Sequence, residues 1–445
     1  MLEKWIDAHL GEEMEDLKTL LRIPSVSRGT PEPGMPLGRE VSRALDCAVD
    51  LGKKFGFEGR NIDGYCAVID FGEGDELLMI ADHLDVVPAG KGWDTDPFEP
   101  AEVDGRLVAR GVLDNKGPAV CALYGMAAVK AAGLKMKRRV RLFLGGDEEV
   151  GWKCVDRYRE TEELPALGFT PDACYPVVNS EMGIYQVQYK RTMENSGVRI
   201  HCGIAANVVP GEAEAVLPCE AVPCEVPEGF TAEFDGNVIR VKGRGGHAAM
   251  NDLAKNALCC LLDLLAQQPL APEDSAVAQS LHAFFDYDLH GEGFDVDVKD
   301  ESGYCTLSLD MLEWDENGVL LTIDSRHPFS LAKETLEEKL DAAFGCILFE
   351  RIPLKHQPGH FIPADSELVS TLMDVYTQVT GKVSAPQTMG GGTYARAFPN
   401  SVAFGMSPEN EPDECHMPNE GMTLASFREN TLIMAEAIRR LATEG

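Results

Sequence analysis

The chain has 445 residues, 44% hydrophobic and 25% charged, proportions of a globular protein too long for one ordinary core. Its formal net charge of −33 should repel nucleic acid and anionic membrane, so neither is expected as a partner. Thirteen scattered cysteines, odd in number and without a C-x-x-C pair, read as reduced thiols in a cytoplasmic protein rather than a disulfide or zinc framework.

At the N-terminus, Trp5, Leu10, Leu17, Leu20 and Leu21 fall at helical spacing among acids, which predicts an amphipathic helix. A basic start and an unbroken apolar stretch are both missing, so no signal peptide is expected, and no apolar run approaches the length of a membrane span. Glu76 to Ile80 then reads as a short apolar strand. Lys116 to Ala132 reads as a helix between Gly117-Pro118 and Gly133, and Arg138 to Leu144 as the next strand. This alternation predicts an α/β layer with a mostly parallel sheet between helices.

The texture changes after residue 182. Gly183 to Lys190, Val198 to Ile204, Phe230 to Lys242 and Thr306 to Ile323 look like strands, many alternating polar with apolar residues, with turns at Asp235-Gly236-Asn237 and Glu316-Asn317-Gly318. Asn251 to Leu265 and Ser330 to Ala343 read as helices between them. Helices resume at Glu367 to Thr380 and Leu424 to Ala442. The expected organisation is one α/β domain built from residues 1–182 and 358–445, interrupted by an α+β insert with an antiparallel sheet at 183–357.

Five short stretches of the α/β domain carry groups that could do chemistry, all at expected strand ends or loops, where such folds build sites. In MIADHLDVV, His83 and Asp85 at i and i+2 point to one side of an extended chain. Asp114 in GVLDNKGP precedes a helix N-terminus, where any acid is favoured. FLGGDEEVGWK sets Asp147, Glu148 and Glu149 at the mouth of a strand. Asp172 sits in the Pro-bounded FTPDACYPV, and His416 in ECHMPNE. Each alone reads equally as a solvated turn or loop. Together they offer mixed His and carboxylate ligands, which suit zinc and related divalent ions; calcium would favour an all-oxygen loop. Five ligands and a spare carboxylate fit a two-metal site.

The order and surroundings of these residues resemble the M20 metallopeptidases, and within them the PepV-like dipeptidases. The resemblance runs from IPSVS at 23–27 through HLDVVPAGKGW, ARGVLDNKGP, GGDEEVGWKC, LGFTPDACYPV and GGGTYAR to CHMPNE. It implies a cytoplasmic dipeptidase acting on short peptides with a free N-terminus, with two zinc ions that cobalt or manganese could replace. By resemblance, His83 and Asp172 bind one ion, Glu149 and His416 the other, and Asp114 bridges them. Asp85 orients His83. Glu148 is the general base, taking a proton from a water between the ions and returning it to the leaving amine. The bond after Asp114 is expected to be cis.

The resemblance further makes the insert a lid. His247, in VKGRGGHAAM, would stabilise the oxyanion. Asn207 in IAANVVPG and Arg326 in IDSRHP would contact substrate, Arg326 as a fork for the substrate carboxylate, with Gly392 and Thr393 of MGGGTYAR against the same group. Three positions depart from the family: Asp82 where Gly is usual, Met182 where Lys usually follows the Glu, and Asn115 where this branch often has Asp. N-acyl amino-acid deacylases and carboxypeptidases share such a metal site and stand as the alternative. The size of the insert favours a monomer over a homodimer.

Overall fold

The structure, a computed structural model, describes residues 1–407, 411–412 and 414–444. The chain divides into two compact units, one of Met1–Asn179, Ile362–Gln387 and Gly392–Gly445, the other of Ser180–Phe361 and Thr388–Gly391. The boundaries fall near 180 and 361 rather than 183 and 357. The four residues Thr388–Gly391, expected in the α/β domain, belong to the second unit; there the Gly390 carbonyl accepts from Arg326 Nη1 at 2.7 Å.

In the first unit, four strands run parallel in the order Arg138–Gly145, Glu76–His83, Leu167–Thr170 and Ser401–Ala403. Cys66–Phe71 and then Glu58–Ile62 extend one side antiparallel. The parallel strands are apolar on both faces because both are covered. Leu78 and Ile80 of the strand Glu76–His83 pack with Leu17, Val120, Phe427 and Ile438, which belong to the helices Leu2–Leu21, Lys116–Ala131 and Leu424–Ala442. Met79 and Ala81, pointing the other way, pack with Phe143, Tyr158, Tyr394 and Phe398. The bond Asp114–Asn115 is cis, as the resemblance implied.

One buried acid in this helical layer is outside any candidate site. Glu13 is fully buried; its Oε1 accepts from Thr431 Oγ1 at 2.5 Å and its Oε2 has no partner among the described residues. Burial pushes its pKa up to about 8, against the pull of the Thr431 bond. A folded pKa above the unfolded value means that stability is full below the ordinary carboxylate pKa and is lost as pH rises towards about 8. Glu13→Gln should remove that loss. From pH 5 to pH 8 the variant should gain on the wild type by on the order of a few kcal/mol, read as a pH-dependent difference in Tm. A constant difference would show that Glu13 does not titrate in this window.

The second unit holds an antiparallel sheet in the order Thr231–Asp235, Val238–Lys242, Glu212–Val216, Arg199–Cys202, Thr306–Asp315, Gly318–His327, Gly183–Thr192 and Glu350–Gln357. Its helices are Ala257–Ala266, Pro272–Phe285 and Lys333–Cys346. Arg199–Cys202 and Glu212–Val216 alternate exposed with buried residues, as one-sided strands must. Two elements differ from those the sequence predicts. The helix foreseen at Asn251 to Leu265 is a 3-10 turn, Ala248–Leu253, then a break, then a helix that begins only at Ala257. Asn256 ends the break by capping that helix, its Oδ1 accepting from Leu258 N at 3.0 Å. The helix Pro272–Phe285 was not foreseen, although Pro272 at its first turn and Glu273 and Asp274 behind it are start signals.

Candidate metal centre

The strand Glu76–His83 ends beside its neighbour so that His83 pairs in register with Gly145, and the acidic run follows two residues later. Both glycines there are required by space. A Cβ on Gly145 would stand 2.1 Å from the Tyr394 hydroxyl oxygen, and one on Gly146 would stand 2.6 Å from Val41 Cγ1. Tyr394 is fully buried, its hydroxyl 3.0 Å from Cys154 Sγ and its ring against Phe143 and Trp152. Gly145→Ala should therefore cost about 1–3 kcal/mol, seen as a lowered Tm, because Tyr394 has nowhere to retreat. An unchanged Tm would mean this packing is looser than the contacts indicate.

Two groups of side chains converge here, His83 with Asp114 and Asp172, and His416 with Asp114 and Glu149, each with candidate ligand atoms within 4.8 Å of one another. His83 Nε2 stands 3.0 Å from Asp114 Oδ1 and 3.8 Å from Asp172 Oδ2. His416 Nε2 stands 2.8 Å from Asp114 Oδ2 and 3.3 Å from Glu149 Oε2. Asp114 thus gives one oxygen to each group. His416 is held in the left-handed backbone region at φ 63°.

The donor set fits divalent cations. The Glu149 carboxylate is almost buried, yet its Oε1 has no hydrogen-bond partner among the described residues. Such an oxygen is costly to bury unless a cation meets it. Burial, joined by the charges of Asp172 and Glu149, pushes the Glu148 carboxyl well above its ordinary range. Burial raises Asp172 to about 6 despite its bond to His83. Although burial opposes protonation of His83, hydrogen bonds to Asp114, Asp172 and Asp85 raise its pKa well above the ordinary value. Hydrogen bonds to Asp114 and Glu149 raise His416 to about 10. Both imidazoles are thus drawn towards the charged form by the carboxylates around them.

Asp85 meets the His83 ring more closely through its main chain than through its carboxylate. His83 Nδ1 lies 2.9 Å from the Asp85 main-chain carbonyl and 3.5 Å from the carboxylate. The carboxylate instead accepts from the backbone N–H groups of Glu148 at 3.0 Å and Glu149 at 3.2 Å, and from Ser27 Oγ at 2.8 Å. It fixes the acidic turn. Glu148 belongs to neither ligand group; its Oε1 accepts from Trp152 Nε1 at 3.1 Å. Asp147 is the turn residue, its carbonyl accepting from Trp152 N at 2.8 Å and its Oδ2 from Lys153 N at 3.0 Å. Asp82 is fully buried, with Oδ1 2.6 Å from His83 N; burial, then repulsion from Asp172 and Asp114, raises its pKa well above the ordinary range.

Glu420 closes the motif CHMPNE, and its neighbours in sequence carry no sign of what it does. It is fully buried, paired with Arg110 Nη1 at 2.5 Å through Oε2. Its Oε1 accepts from the backbone N–H groups of Gly111 at 3.1 Å, Leu113 at 2.7 Å and Asp114 at 3.1 Å. Glu420 thereby ties the strand after His416 to the loop that presents Asp114. Thr393 is buried and caps the turn Tyr394–Ala397, its Oγ1 accepting from Ala395 N at 3.1 Å. Gly392 lies beside the Arg396 guanidinium, where a Cβ would stand 2.7 Å from Arg396 Cζ.

The remaining candidates lie in the second unit. His247 Nδ1 accepts from Ala249 N at 3.1 Å, which leaves the ring proton on Nε2. Asn207 Nδ2 stands 3.5 Å from that Nε2. Partial burial, then the Arg326 charge, lowers the His247 pKa. Arg326 is buried, its Nε donating to Asp324 Oδ1 at 2.8 Å and its Nη2 to Oδ2 at 3.2 Å. With Nη1 on Gly390, two of its five N–H groups have no acceptor among the described residues.

The chain is similar to several known proteins. "Putative dipeptidase YtjP" of Bacillus subtilis is 34% identical over 455 residues, covering 96% of this chain and 97% of that protein. "Putative dipeptidase SH1171" of Staphylococcus haemolyticus is 31% identical over 475 residues, covering 100% of both. Among solved structures, human carnosine dipeptidase 1 matches with a TM-score of 0.59 at 16% identity, covering 98% of this chain and 97% of that one. Aminoacylhistidine dipeptidase of Vibrio alginolyticus matches at 0.61 and 15%, covering 97% of each chain. At those identities the two structures speak for the fold. The pattern of peptidase family M20/M25/M40 matches residues 79–440, a span that begins at the strand carrying His83 and runs past His416. This chain belongs to that family and is a metallopeptidase, a hydrolase.

Proposed function

We propose that this protein is a dipeptidase that hydrolyses short peptides with a free N-terminus and works with two divalent ions, zinc in the first instance, with cobalt or manganese as substitutes. The observation that carries this reading is Asp114, which offers one carboxylate oxygen to each of two His-carboxylate groups. His83 and Asp172 would hold one ion, Glu149 and His416 the other. Bound there, the ions supply Lewis acidity to the scissile carbonyl and to water.

The chain's own residues then have separable tasks. Glu148, outside both ligand groups, accepts the proton of the attacking water and returns it to the leaving amine. The Asp85 carboxylate positions Glu148 and Glu149 through their backbone N–H groups. His247, protonated on Nε2, has a donor for a developing oxyanion, and Arg326 has two N–H groups for a substrate carboxylate. Asn207, Gly392 and Thr393 would line the substrate. The names of the full-length relatives support dipeptides over the acylated amino acids of the alternative reading.

A hydrolysis panel tests this: L,L-dipeptides, β-Ala-His, a tripeptide and an N-acetyl amino acid, each with and without metal. Dipeptides should be cleaved fastest, chelation should abolish cleavage, and zinc, cobalt or manganese should restore it. Preference for the N-acetyl amino acid would replace the reading with a deacylase, and full activity after chelation would remove the metal role.

A further inference from the structure

A cavity of about 280 Å³ lies wholly within the second unit. Its walls include Phe230, Phe285, Leu307 and Leu309, and the Tyr287 ring, 5.6 Å from that of Phe230, closes one side. Tyr287 turns its hydroxyl away to Asp263 Oδ2 at 2.9 Å, which leaves the ring as an apolar surface. Asn251 also lines the cavity and is 4% exposed. Its Nδ2 donates to the carbonyls of Leu289 at 2.8 Å and Leu307 at 3.4 Å, which fixes the amide orientation. Its buried Oδ1 has no donor among the described residues. A buried acceptor with no partner costs about 1–3 kcal/mol, so this oxygen calls for an N–H or O–H from an occupant.

Four charged residues line the same cavity, exposed Lys255 on one hand and Glu228, Asp252 and the half-buried Asp288 on the other, the last with its carboxylate accepting from the backbone N–H groups of His290, Gly291 and Gly293. The Lys255 main chain is anchored, its N–H donating to the Arg244 carbonyl at 2.8 Å, while its ammonium makes no ion pair among the described residues. An anion alone would meet three carboxylates and an unmet acceptor. A cation alone would leave Lys255 unanswered. A zwitterion with an apolar body answers all of them. An apolar cavity of about 150 Å³ holds benzene, so this one has room for an aromatic or branched side chain together with an amino-acid head group.

We propose that this cavity binds a free apolar amino acid, its side chain among Phe230, Phe285 and Leu307, its ammonium donating to Asn251 Oδ1 and its carboxylate meeting Lys255 Nζ. Asn251 belongs to the turn Ala248–Leu253, which directly follows His247, so an occupant orders the segment that carries His247. The inference stands apart from the peptidase reading, since binding is measured without turnover.

The test is calorimetric titration of the full-length protein with L-phenylalanine, 2-phenylethylamine and 3-phenylpropionate, with hydrogen exchange to locate the site. L-phenylalanine should bind at least tenfold more tightly than the other two and protect residues 247–256 and 285–309. Lys255→Gln, an exposed change that leaves the main chain intact, should weaken L-phenylalanine about tenfold and leave phenylethylamine unchanged. Any of four results overturns the proposal: no binding of L-phenylalanine up to about ten millimolar, protection confined to the loops bearing His83 and Asp172, equal affinity for the three probes, or an unaltered affinity in Lys255→Gln.

Discussion

Glu148→Gln should lower turnover on a dipeptide by about 10²–10⁴-fold while leaving the metal content at the wild-type level. The expectation rests on where Glu148 stands. It is next to Glu149 in sequence, yet only Glu149 joins a ligand group. The Asp85 carboxylate grips the backbone N–H groups of both residues and so fixes the turn between them. The Trp152 indole holds one Glu148 oxygen at 3.1 Å. Gln keeps the shape, and its Oε1 can still accept from Trp152, so the lost function is proton acceptance alone. Burial and the surrounding carboxylates raise the Glu148 pKa. Steady-state kinetics with metal analysis on the same sample decides the matter. Wild-type turnover in Glu148→Gln would remove the base role, and a loss of metal would make Glu148 a ligand instead.

The layer architecture could be read from the chain because its signals are local. Leu78 and Ile80 on one face of a strand, with Met79 and Ala81 on the other, leave no polar face, and that pattern belongs to a sheet covered on both sides. The break between Leu253 and Ala257 was missed because Leu258, Leu261, Leu262 and Leu265 continue a helical period, which hides the Asn256 cap. The metal groups were legible as residue types at strand ends. Their supports were not. Glu420 reaches the Asp114 loop across 306 residues of chain, and Ser27 reaches Asp85 across 58. Local patterning carries no record of such pairs. Asp85 shows the limit from the other side: its spacing from His83 was informative, but it is the main-chain carbonyl that lies nearer the ring, while the carboxylate serves the acidic turn. The sequence could not distinguish those uses, because both follow from placing Asp85 two residues after His83.

Asp114→Ala should abolish binding of both ions and all peptidase activity, whereas Asp172→Ala and Glu149→Ala should each lose one ion preferentially. The asymmetry follows from the two Asp114 oxygens. Oδ1 lies 3.0 Å from His83 Nε2 and Oδ2 lies 2.8 Å from His416 Nε2, so a single deletion opens both groups, while Asp172 and Glu149 each serve one. Metal analysis after dialysis reads the stoichiometry directly. Equal loss in all three variants would mean that the groups are not independent, and an unchanged content in Asp114→Ala would remove the bridging role. Stability should follow occupancy. An ion that binds only the folded chain adds about 4 kcal/mol at a thousand times its Kd, so the wild type should melt several degrees higher with metal than after chelation. In Asp114→Ala that difference should vanish. The acidic run that opens next to Gly146 explains why the effect should be large: Glu149 keeps a buried oxygen without a donor, and burial, joined by neighbouring carboxylates, pushes Asp172 and Glu148 towards protonation. Cations relieve both costs at once, whereas protons on the carboxyls relieve the charge but leave the Glu149 oxygen unmet.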